Sequence, residues 1–427
     1  MNTIEIIYQA FKKAYKVTTD SRRVEKEAVF FALKGENFDG NDFAMQVAEA
    51  GIASLVVCDR NDIPEHPHII KVEKTLDALQ DLAHHHRHQM KAKVLSITGT
   101  NGKTTTKELV SAVLAQQYNI INTQGNYNNH IGVPLTLLTI KPETEIAVVE
   151  MGANHPGEID TLAHVASPDF GLITNIGKAH LEGFGSFEGV INTKTELYRY
   201  IKQSGEFVFV NRANDLLWNL SSEQKRVSYG CHCVADYPVA PGECKPYLSV
   251  KWKNRLIQTR LVGEYNFENA AAAIGVGQYF GVDDDKIQAA LEAYLPTNSR
   301  SQVIESGKNH IIMDAYNANP TSMQASVRNF RKICSENHLL ILGDMRELGQ
   351  ESENEHKAIL KLLEELGYKA AYLVGSNFCA YSGCKKWRLF PTVNDLCQYL
   401  EANPVEGKEI LVKGSRGIML EKVLPLL

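Results

Sequence analysis

The stretch Val94-Leu-Ser-Ile-Thr-Gly-Thr-Asn-Gly-Lys-Thr-Thr-Thr-Lys107 limits what this chain can fold into more than any other. Val94 to Ile97 is a short apolar run that reads as a buried strand. Gly99 and Gly102 supply backbone freedom for a tight turn. Lys103-Thr104 then opens a helix whose Leu109, Val110, Val113 and Leu114 fall on one face. A glycine turn between strand and helix aims backbone N–H groups and the positive helix end at one point, which suits a phosphate. Lys103 adds a positive charge, and the Thr104 hydroxyl can ligate Mg²⁺. The pattern Gly99-x-x-Gly102-Lys103-Thr104 is a shortened phosphate loop, because the usual G-x-x-x-x-G-K-[ST] would need glycine where Ile97 stands. The plain alternative is a glycine-rich turn with a surface lysine; the flanking strand and helix argue against it.

A chain of 427 residues is too long for one ordinary core, so two or three domains are expected. The composition, 44% hydrophobic and 22% charged, is that of a soluble globular protein. A net charge of −5 gives no electrostatic reason for a nucleic-acid or anionic-membrane partner. No apolar run reaches the length of a membrane span, and the N-terminus lacks the pattern of a secretory signal. Eight cysteines in this length fit reduced cytosolic thiols, so a cytoplasmic location is expected. Cys231-His-Cys233 with Cys244 lacks a fourth ligand at zinc spacing and reads as ordinary thiols.

Residues 1–83 read as a small α/β unit, with strands at 29–33 and 53–58 and a helix at 43–50 ended by Gly51. Asp20-Ser21-Arg22 and the loop Lys34-Gly-Glu-Asn-Phe-Asp-Gly40 either bind a nucleotide head or merely turn the chain. His84-His-His-Arg-His88 crowds every face of a helix without an acidic partner, which reads as a solvated helix end and not a metal site.

Residues 84–297 form the expected central unit. Strands at 94–97, 146–151, 170–174 and 206–210 alternate with helices, which argues a parallel sheet wrapped by helices. Ligands collect at the carboxyl ends of such strands. Glu150 closes an apolar strand, where a carboxylate is costly unless it faces a cation. Asn175-Ile-Gly-Lys-Ala-His-Leu-Glu-Gly-Phe-Gly185 follows another strand and carries His180; Asn126-Tyr-Asn-Asn-His-Ile-Gly-Val-Pro134 is dense in amides. Residues 247–263 read as a hairpin around Lys253-Asn254, followed by a helix at 266–280. Residues 298–427 repeat the βαβ rhythm, with strands at 311–314, 339–342, 371–374 and 409–413 and helices near 319–334, 351–366 and 392–402. This predicts a Rossmann-like unit. Its post-strand loops carry Asp314-Ala-Tyr-Asn-Ala-Asn-Pro320, Gly343-Asp-Met-Arg-Glu-Leu-Gly349 and Lys413-Gly-Ser-Arg-Gly417, as expected of a site in a domain cleft.

In this order, over essentially the whole chain, these motifs resemble the Mur ligase family, which builds the peptide stem of peptidoglycan. Gly99-Thr-Asn-Gly-Lys-Thr104 matches the family's phosphate loop. Gly125–Pro134, Glu150-Met-Gly-Ala-Asn-His-Pro-Gly-Glu158, Asp314–Pro320 and Leu411-Val-Lys-Gly-Ser-Arg416 favour the branch that adds D-Ala-D-Ala over the one adding diaminopimelate or lysine. The resemblance implies three α/β domains: a UDP-sugar-binding unit, a central phosphate-loop ATPase-like sheet and a C-terminal Rossmann-like unit. It implies ATP and two Mg²⁺ ions as cofactors. The substrates it implies are a UDP-N-acetylmuramoyl-tripeptide and D-Ala-D-Ala, joined through an acyl phosphate by a cytoplasmic, monomeric enzyme. The third residue of the tripeptide is left open.

The resemblance also assigns roles. Gly99, Thr100, Asn101, Gly102, Lys103, Thr104 and Thr105 hold ATP phosphates, Asn266 and Asn269 the adenine surroundings, Arg300 a phosphate and Asp314 the ribose. Thr104 and Glu150 hold one Mg²⁺, and His180 a second, with Lys194 if carbamylated; Lys103, His180 and Lys194 are thereby catalytic. Ser21, Arg22, Lys34, Gly35, Asp39, Gly40, Asn128 and Asn129 face the UDP-sugar substrate. Asn317, Asn319, Lys413, Ser415 and Arg416 face the peptide or dipeptide carboxylates. Two positions depart from the family: Tyr265 stands where His is frequent, and Ser299 where Gly is usual. Two rivals remain at this level, a folylpolyglutamate synthase-like ligase and a nucleotide-binding regulatory module without catalysis. The N-terminal unit argues against the first, and intact Lys103, Glu150, His180 and Lys194 against the second.

Overall fold

Short runs of aliphatic and β-branched residues, each ended by a polar or glycine turn, favour strands buried on both faces of parallel sheets. The computed structural model describes residues 2–204, 206–231, 233–297, 300–381 and 386–427. Ser299, with the hinge departure attached to it, and His232 of the Cys231–Cys233 stretch lie outside the described residues. Among the described residues the strands form four sheets.

The first is parallel, in the order β1 (Val17–Thr18), β2 (Val29–Phe31), β3 (Leu55–Cys58), β4 (Ile69–Lys71). The helix Ala44–Glu49 follows the 3-10 turn Gly40–Phe43 and ends before Gly51 in the left-handed region. The helix Thr75–Gln89 then carries the chain into the second sheet. Its Leu79, Leu82 and Ala83 belong to one apolar cluster with Ile7 and Phe11 on one side and Val133, Ile159 and Leu162 on the other. The division expected between residues 83 and 84 falls inside this continuous helix.

That wedge also corrects the reading of the histidine run. His84 and His88 are solvent-facing, but His86 is fully buried and its Nε2 meets the Ile140 carbonyl at 2.8 Å. Arg87 is buried too, pairing with Asp169 at 2.7 Å, and His85 lies 3.7 Å from Glu5. A helix sandwiched between two units has less solvent-facing surface than one at a chain end, so the run is largely a packing element. Burial holds the His86 imidazole below its ordinary value.

The second sheet is the organising one. Its strands are β5 (Lys93–Thr98), β6 (Ile120–Asn122), β7 (Ile146–Glu150), β8 (Phe170–Ile173), β9 (Phe207–Asn211), β10 (Lys225–Gly230) and β11 (Tyr237–Pro238). They are all parallel, in the order β11-β10-β9-β8-β5-β7-β6. From β5 the chain goes to the edge strand β6, returns to β7 beside β5, then crosses to β8 and runs outward through β9, β10 and β11, so the winding changes side at β5 and opens a crevice beyond its carboxyl end. The helix Lys103–Leu114 leaves that point and buries Leu109, Val110, Val113 and Leu114, the face expected from the sequence.

The expected hairpin is present as β13 (Tyr247–Trp252) and β14 (Arg255–Val262), antiparallel about Lys253 in the left-handed region. A third strand, β12 (Ala240–Cys244), joins it. The following helix is Phe267–Tyr279, with Glu264–Asn266 as a 3-10 turn before it.

The last sheet has the order β15-β16-β20-β17-β18-β19. These strands are β15 (Gln302–Glu305), β16 (His310–Asp314), β17 (His338–Gly343), β18 (Ala371–Val374), β19 (Arg388–Phe390) and β20 (Glu409–Lys413). Only β15 is antiparallel to its neighbour. The helices Pro320–Ile333, Ser352–Glu365 and Val393–Ala402 match the expected three. This unit has its own apolar clusters on the two faces of its sheet, separate from those of the rest. Side chains join it to the central unit through polar contacts: Asn319 to Asn101, Lys178 to Glu355, His180 to Glu347 and Lys332 to Glu264. Polar contacts without a shared core are the mark of units that shift relative to each other. The chain is thus an α/β protein of three units, each built on a largely parallel sheet.

Candidate active site

The loops beyond β5, β7 and β8 face the loops beyond β16 and β20 across a cavity of about 1020 Å³. Thr100 to Thr105, Asn128, Asn129, Glu150, His180, Asn266 and Asn269 line it from the central unit. Arg300, Asp314, Asn317, Asn319 and Lys413 line it from the other side. Residues more than 300 positions apart in the chain thus share one space.

The phosphate loop has the backbone its glycines predict. Gly102 has φ of 77°, and a Cβ there would lie 2.4 Å from Asn269 Oδ1; at Gly99, φ is 140° and a Cβ would lie 2.1 Å from Thr174 Oγ1. Side chains are excluded at both positions by conformation and by space. The loop is laced to the segment after β8. Thr100 N donates to the Asn175 carbonyl at 2.9 Å, Asn101 N to Asn175 Oδ1 at 3.0 Å, and Thr174 Oγ1 to the Asn101 carbonyl at 2.6 Å. Asn175 is a site residue that sequence reading quoted within a motif but gave no role; its place directly after a strand was the available signal.

Lys103 Nζ donates to the Gly99 carbonyl at 2.7 Å and the Thr100 carbonyl at 3.0 Å, folded over its own loop. Desolvation pushes its ammonium below the ordinary lysine value; Glu150 opposes that shift and Arg300 adds to it. Asn266 and Asn269 brace the loop from behind. Asn269 Nδ2 donates to Asn266 Oδ1 at 2.9 Å, Asn269 Oδ1 accepts from Thr106 at 3.1 Å, and Asn266 Nδ2 donates to the Val262 carbonyl at 2.8 Å.

Glu150 is buried at the end of β7. Asn128 Nδ2 donates to its Oε1 at 2.8 Å, while Oε2 is buried with no hydrogen-bond partner among the described residues. An unsatisfied buried carboxylate oxygen beside a phosphate loop is costly unless a cation completes it, so the residues fit Mg²⁺. Among the described residues no three His, Cys, Asp or Glu side chains converge on a metal position. That is compatible with Mg²⁺, which takes one or two protein ligands and completes its shell with water and phosphate oxygens.

His180 faces the cavity with φ of 50°, left-handed for a non-glycine residue. Its ring lies 6.2 Å from that of Phe184, and Lys194 Nζ lies 5.3 Å from the same Phe184 ring. Lys194 does not itself line the cavity. It is buried, and burial followed by the charge of Lys103 lowers its amine to about 7. Glu158 also lines the cavity; burial raises its carboxyl, but the Asn154 and His155 amides at 2.7 and 3.1 Å and the His155 side chain bring it below the ordinary range.

On the opposite wall, Arg300 stacks on Tyr316 at 3.7 Å with its Nε buried and without a hydrogen-bond partner among the described residues. Arg416 lies 5.3 Å from the same ring, outside the cavity lining. Tyr316 is a second residue sequence reading left without a role. Asp314 and Lys413 are register partners on adjacent strands, and Lys413 Nζ donates to Asp314 Oδ2 at 2.6 Å. Ser326 Oγ and Ser301 N complete the Asp314 carboxylate at 2.9 and 3.3 Å. The ribose and peptide roles expected of these two residues therefore start from a mutual ion pair. Asn319 caps the helix Pro320–Ile333 and also donates to Asn101; Asn317 Oδ1 accepts from Ala318 N; Ser415 accepts from Arg346 N. Tyr265, the departure from the family, bonds Ser301 through its hydroxyl at 2.7 Å and lines the cavity.

Ser21, Arg22, Lys34, Gly35, Asp39 and Gly40 are not in the cavity lining. Arg22 is tied to Asp20 at 2.9 Å. Asp39 caps the turn Gly40–Phe43, and a Cβ at Gly40 would meet the Leu33 carbonyl at 2.8 Å. These residues belong to the first unit and lie outside that lining.

Profiles of three domains match the chain: the Mur ligase family catalytic domain over residues 13–87, the Mur ligase middle domain over 97–277, and the Mur ligase glutamate ligase domain over 299–416. The UDP-N-acetylmuramoyl-tripeptide–D-alanyl-D-alanine ligase of Bacillus subtilis (strain 168) is 37% identical over 422 residues, 96% of this chain and 92% of that one. A crystal structure of MurF from Acinetobacter baumannii is similar with a TM-score of 0.86 at 31% identity, covering 96% of this chain and 92% of that chain. The MurF ligase of Thermotoga maritima, solved in complex with ADP, gives 0.84 at 27% identity, covering 96% of each chain. With near-complete coverage at this identity, and its phosphate loop, buried carboxylate and histidine gathered on one cavity, the chain belongs to the Mur ligase family.

Proposed function

We infer that this chain is an ATP-dependent ligase that joins D-alanyl-D-alanine to the free carboxylate of UDP-N-acetylmuramoyl-tripeptide. Relatives bearing that name over nearly the full length support the reading, as does the ADP complex of a similar structure. The observation that carries it is the convergence of Lys103, Glu150 and His180 from one unit with Arg300 and Asp314 from another on a single cavity.

A carboxylate is a poor electrophile, and its approach to ATP brings anions together. The tripeptide carboxylate attacks the γ-phosphorus, the bond to the β-bridging oxygen breaks, and ADP leaves an acyl phosphate. The dipeptide amine then attacks the acyl carbon, the carbon–oxygen bond to phosphate breaks, and the amine loses a proton as the amide forms. The phosphate-loop amides and Lys103 stabilise the charge on the transferred phosphoryl group. Thr104 and Glu150 would hold one Mg²⁺, and His180 with a carbamylated Lys194 a second. When bound, the ions neutralise the phosphate oxygens and the attacking carboxylate. Arg300 reaches phosphate from the C-terminal unit, and closure of that unit excludes water from the acyl phosphate.

In this reading residues 1–83 hold the UDP group through Ser21, Arg22 and the 34–40 loop, 84–297 bind ATP, and 298–427 complete the site. Asn129 contacts the substrate directly, and Asn128 acts through Glu150. Asn317, Asn319, Lys413, Ser415 and Arg416 form the dipeptide side. The reading includes the cytoplasmic, monomeric enzyme expected from the sequence.

The test is oxygen transfer. With a tripeptide carrying ¹⁸O in its free carboxylate, the released phosphate carries one ¹⁸O if an acyl phosphate forms. Phosphate without ¹⁸O, alongside amide product, would contradict the mechanism.

A further inference from the structure

His180 and Glu347 belong to different units, yet their side chains form an ion pair between His180 Nδ1 and Glu347 Oε2. Both are non-glycine residues in the left-handed region, with φ of 50° and 63°. Such backbones are unfavourable for non-glycine residues and persist where surrounding structure dictates them.

The surroundings do so here. The loop after β17 is pinned at three successive residues. Asp344 accepts from Asn377 N and Phe378 N at 2.9 Å each, Met345 N donates to His356 Nε2 at 3.1 Å, and Arg346 N donates to Ser415 Oγ at 3.0 Å. The next residue is Glu347. On the other side, the segment bearing His180 is fixed by Gly177 N on Thr100 Oγ1 at 2.9 Å and by Lys178 on the buried Glu355 at 2.9 Å. Glu347 itself is solvent-exposed and does not line the cavity, so no packing demand explains its conformation.

We propose that Glu347 is a positioning residue for His180, supplied from the C-terminal unit across the cleft. Its carboxylate engages Nδ1 and leaves Nε2 as the nitrogen available to a divalent ion. A carboxylate on one imidazole nitrogen fixes the tautomer and ring orientation at the other. The site is then complete only when the C-terminal unit is docked, because the group that orients His180 arrives with it. This inference rests on the metal role given to His180 above.

The test uses Mn²⁺ with the full-length protein, a non-hydrolysable ATP analogue and the UDP-tripeptide. Bound Mn²⁺ is counted by electron paramagnetic resonance, and imidazole ligation is read from ¹⁴N modulation of its echo. The variants are Glu347→Gln, Glu347→Asp, His180→Asn and the Gln/Asn double. Glu347→Gln is expected to weaken the His180-dependent Mn²⁺ site about tenfold and reduce the ¹⁴N modulation. Glu347→Asp should restore part of both, and the double variant should be no worse than His180→Asn alone. A purely structural latch would instead leave the ¹⁴N signal intact. Wild-type Mn²⁺ affinity and modulation in Glu347→Gln, with His180→Asn impaired, would overturn this proposal alone. No effect in His180→Asn would overturn it together with the metal role of His180.

Discussion

Asn319 Nδ2 donates to Asn101 Oδ1 at 2.8 Å, joining the helix cap of one unit to the phosphate loop of another. Oδ1 of the same side chain accepts from Ser322 N at 2.9 Å, so one side chain both starts a helix and ties it to the phosphate loop. Asn319→Ser separates the two duties. Serine is a good cap, so stability should change by no more than about 0.5 kcal/mol. Losing the bond to Asn101 should lower kcat/KM for ATP about tenfold, the worth of one such hydrogen bond. Thermal unfolding and steady-state kinetics on the same preparation check both halves; unaltered kinetics would mean that the contact is incidental.

In the proposed mechanism Lys103 supplies the charge nearest the transferred phosphoryl group. Lys103→Ala is expected to cut turnover by at least about 10²-fold while the protein stays folded. A near-normal rate would favour a nucleotide-binding module whose chemistry, if any, lies elsewhere.

Glu150 offers a test of opposite sign. Its buried Oε2 has no hydrogen-bond partner among the described residues, so without a cation the carboxylate is expected to cost stability. Glu150→Gln removes that charge while the amide oxygen still accepts from Asn128. Melting temperature without Mg²⁺ should rise or stay level, whereas the stabilisation that Mg²⁺ and ADP give the wild type should largely vanish. Equal Mg²⁺-dependent shifts in both proteins would exclude Glu150 as a metal ligand.

Lys194 ties the site to pH. Burial, then the charge of Lys103, lowers its amine to about 7 from 10.5. Only the neutral amine adds CO₂, so carbamate occupancy should rise as pH climbs through about 7 and fall below it. Between about 7 and 10.5 the unfolded chain binds the extra proton, so this group's contribution to stability increases with pH across that window. A ¹³C carbamate resonance in ¹³C-bicarbonate, absent from Lys194→Ala, is the expected signal. Its absence from the wild type at pH 8 would contradict the ligand role proposed for Lys194.

The Asp314–Lys413 pair is largely buried, with side-chain exposures of 15% and 2%. Asp314→Ala strands the lysine and should destabilise the protein by about 3 kcal/mol or more. Adding Lys413→Met should recover much of that loss, measured by denaturant unfolding. Simple additivity of the two losses would show that the residues act independently.

Much of this was legible before the structure. Glycines at 99 and 102, an apolar strand before them and a one-faced helix after them allow little else. The odd chemistry at the end of β7 was also legible: Glu150 closes an apolar strand, and its Oε2 is buried without a hydrogen-bond partner among the described residues. Other features depend on distance in space. Nothing local tells that Asp314 meets Lys413, or that Glu347 meets His180, since those encounters follow from strand order and unit docking. Two-residue strands such as β1 and β11 carry no periodicity to read. The histidine run departs from a solvated helix end because residues of two units pack on the helix Thr75–Gln89, a placement that local spacing does not reveal.

The central claim is tested most directly by following phosphate release and product mass with purified substrates. The account predicts release of phosphate only when ATP, UDP-N-acetylmuramoyl-tripeptide and D-Ala-D-Ala are all present, with one UDP-pentapeptide formed per phosphate. Steady phosphate release without either acceptor or donor, or none with all three, would contradict it.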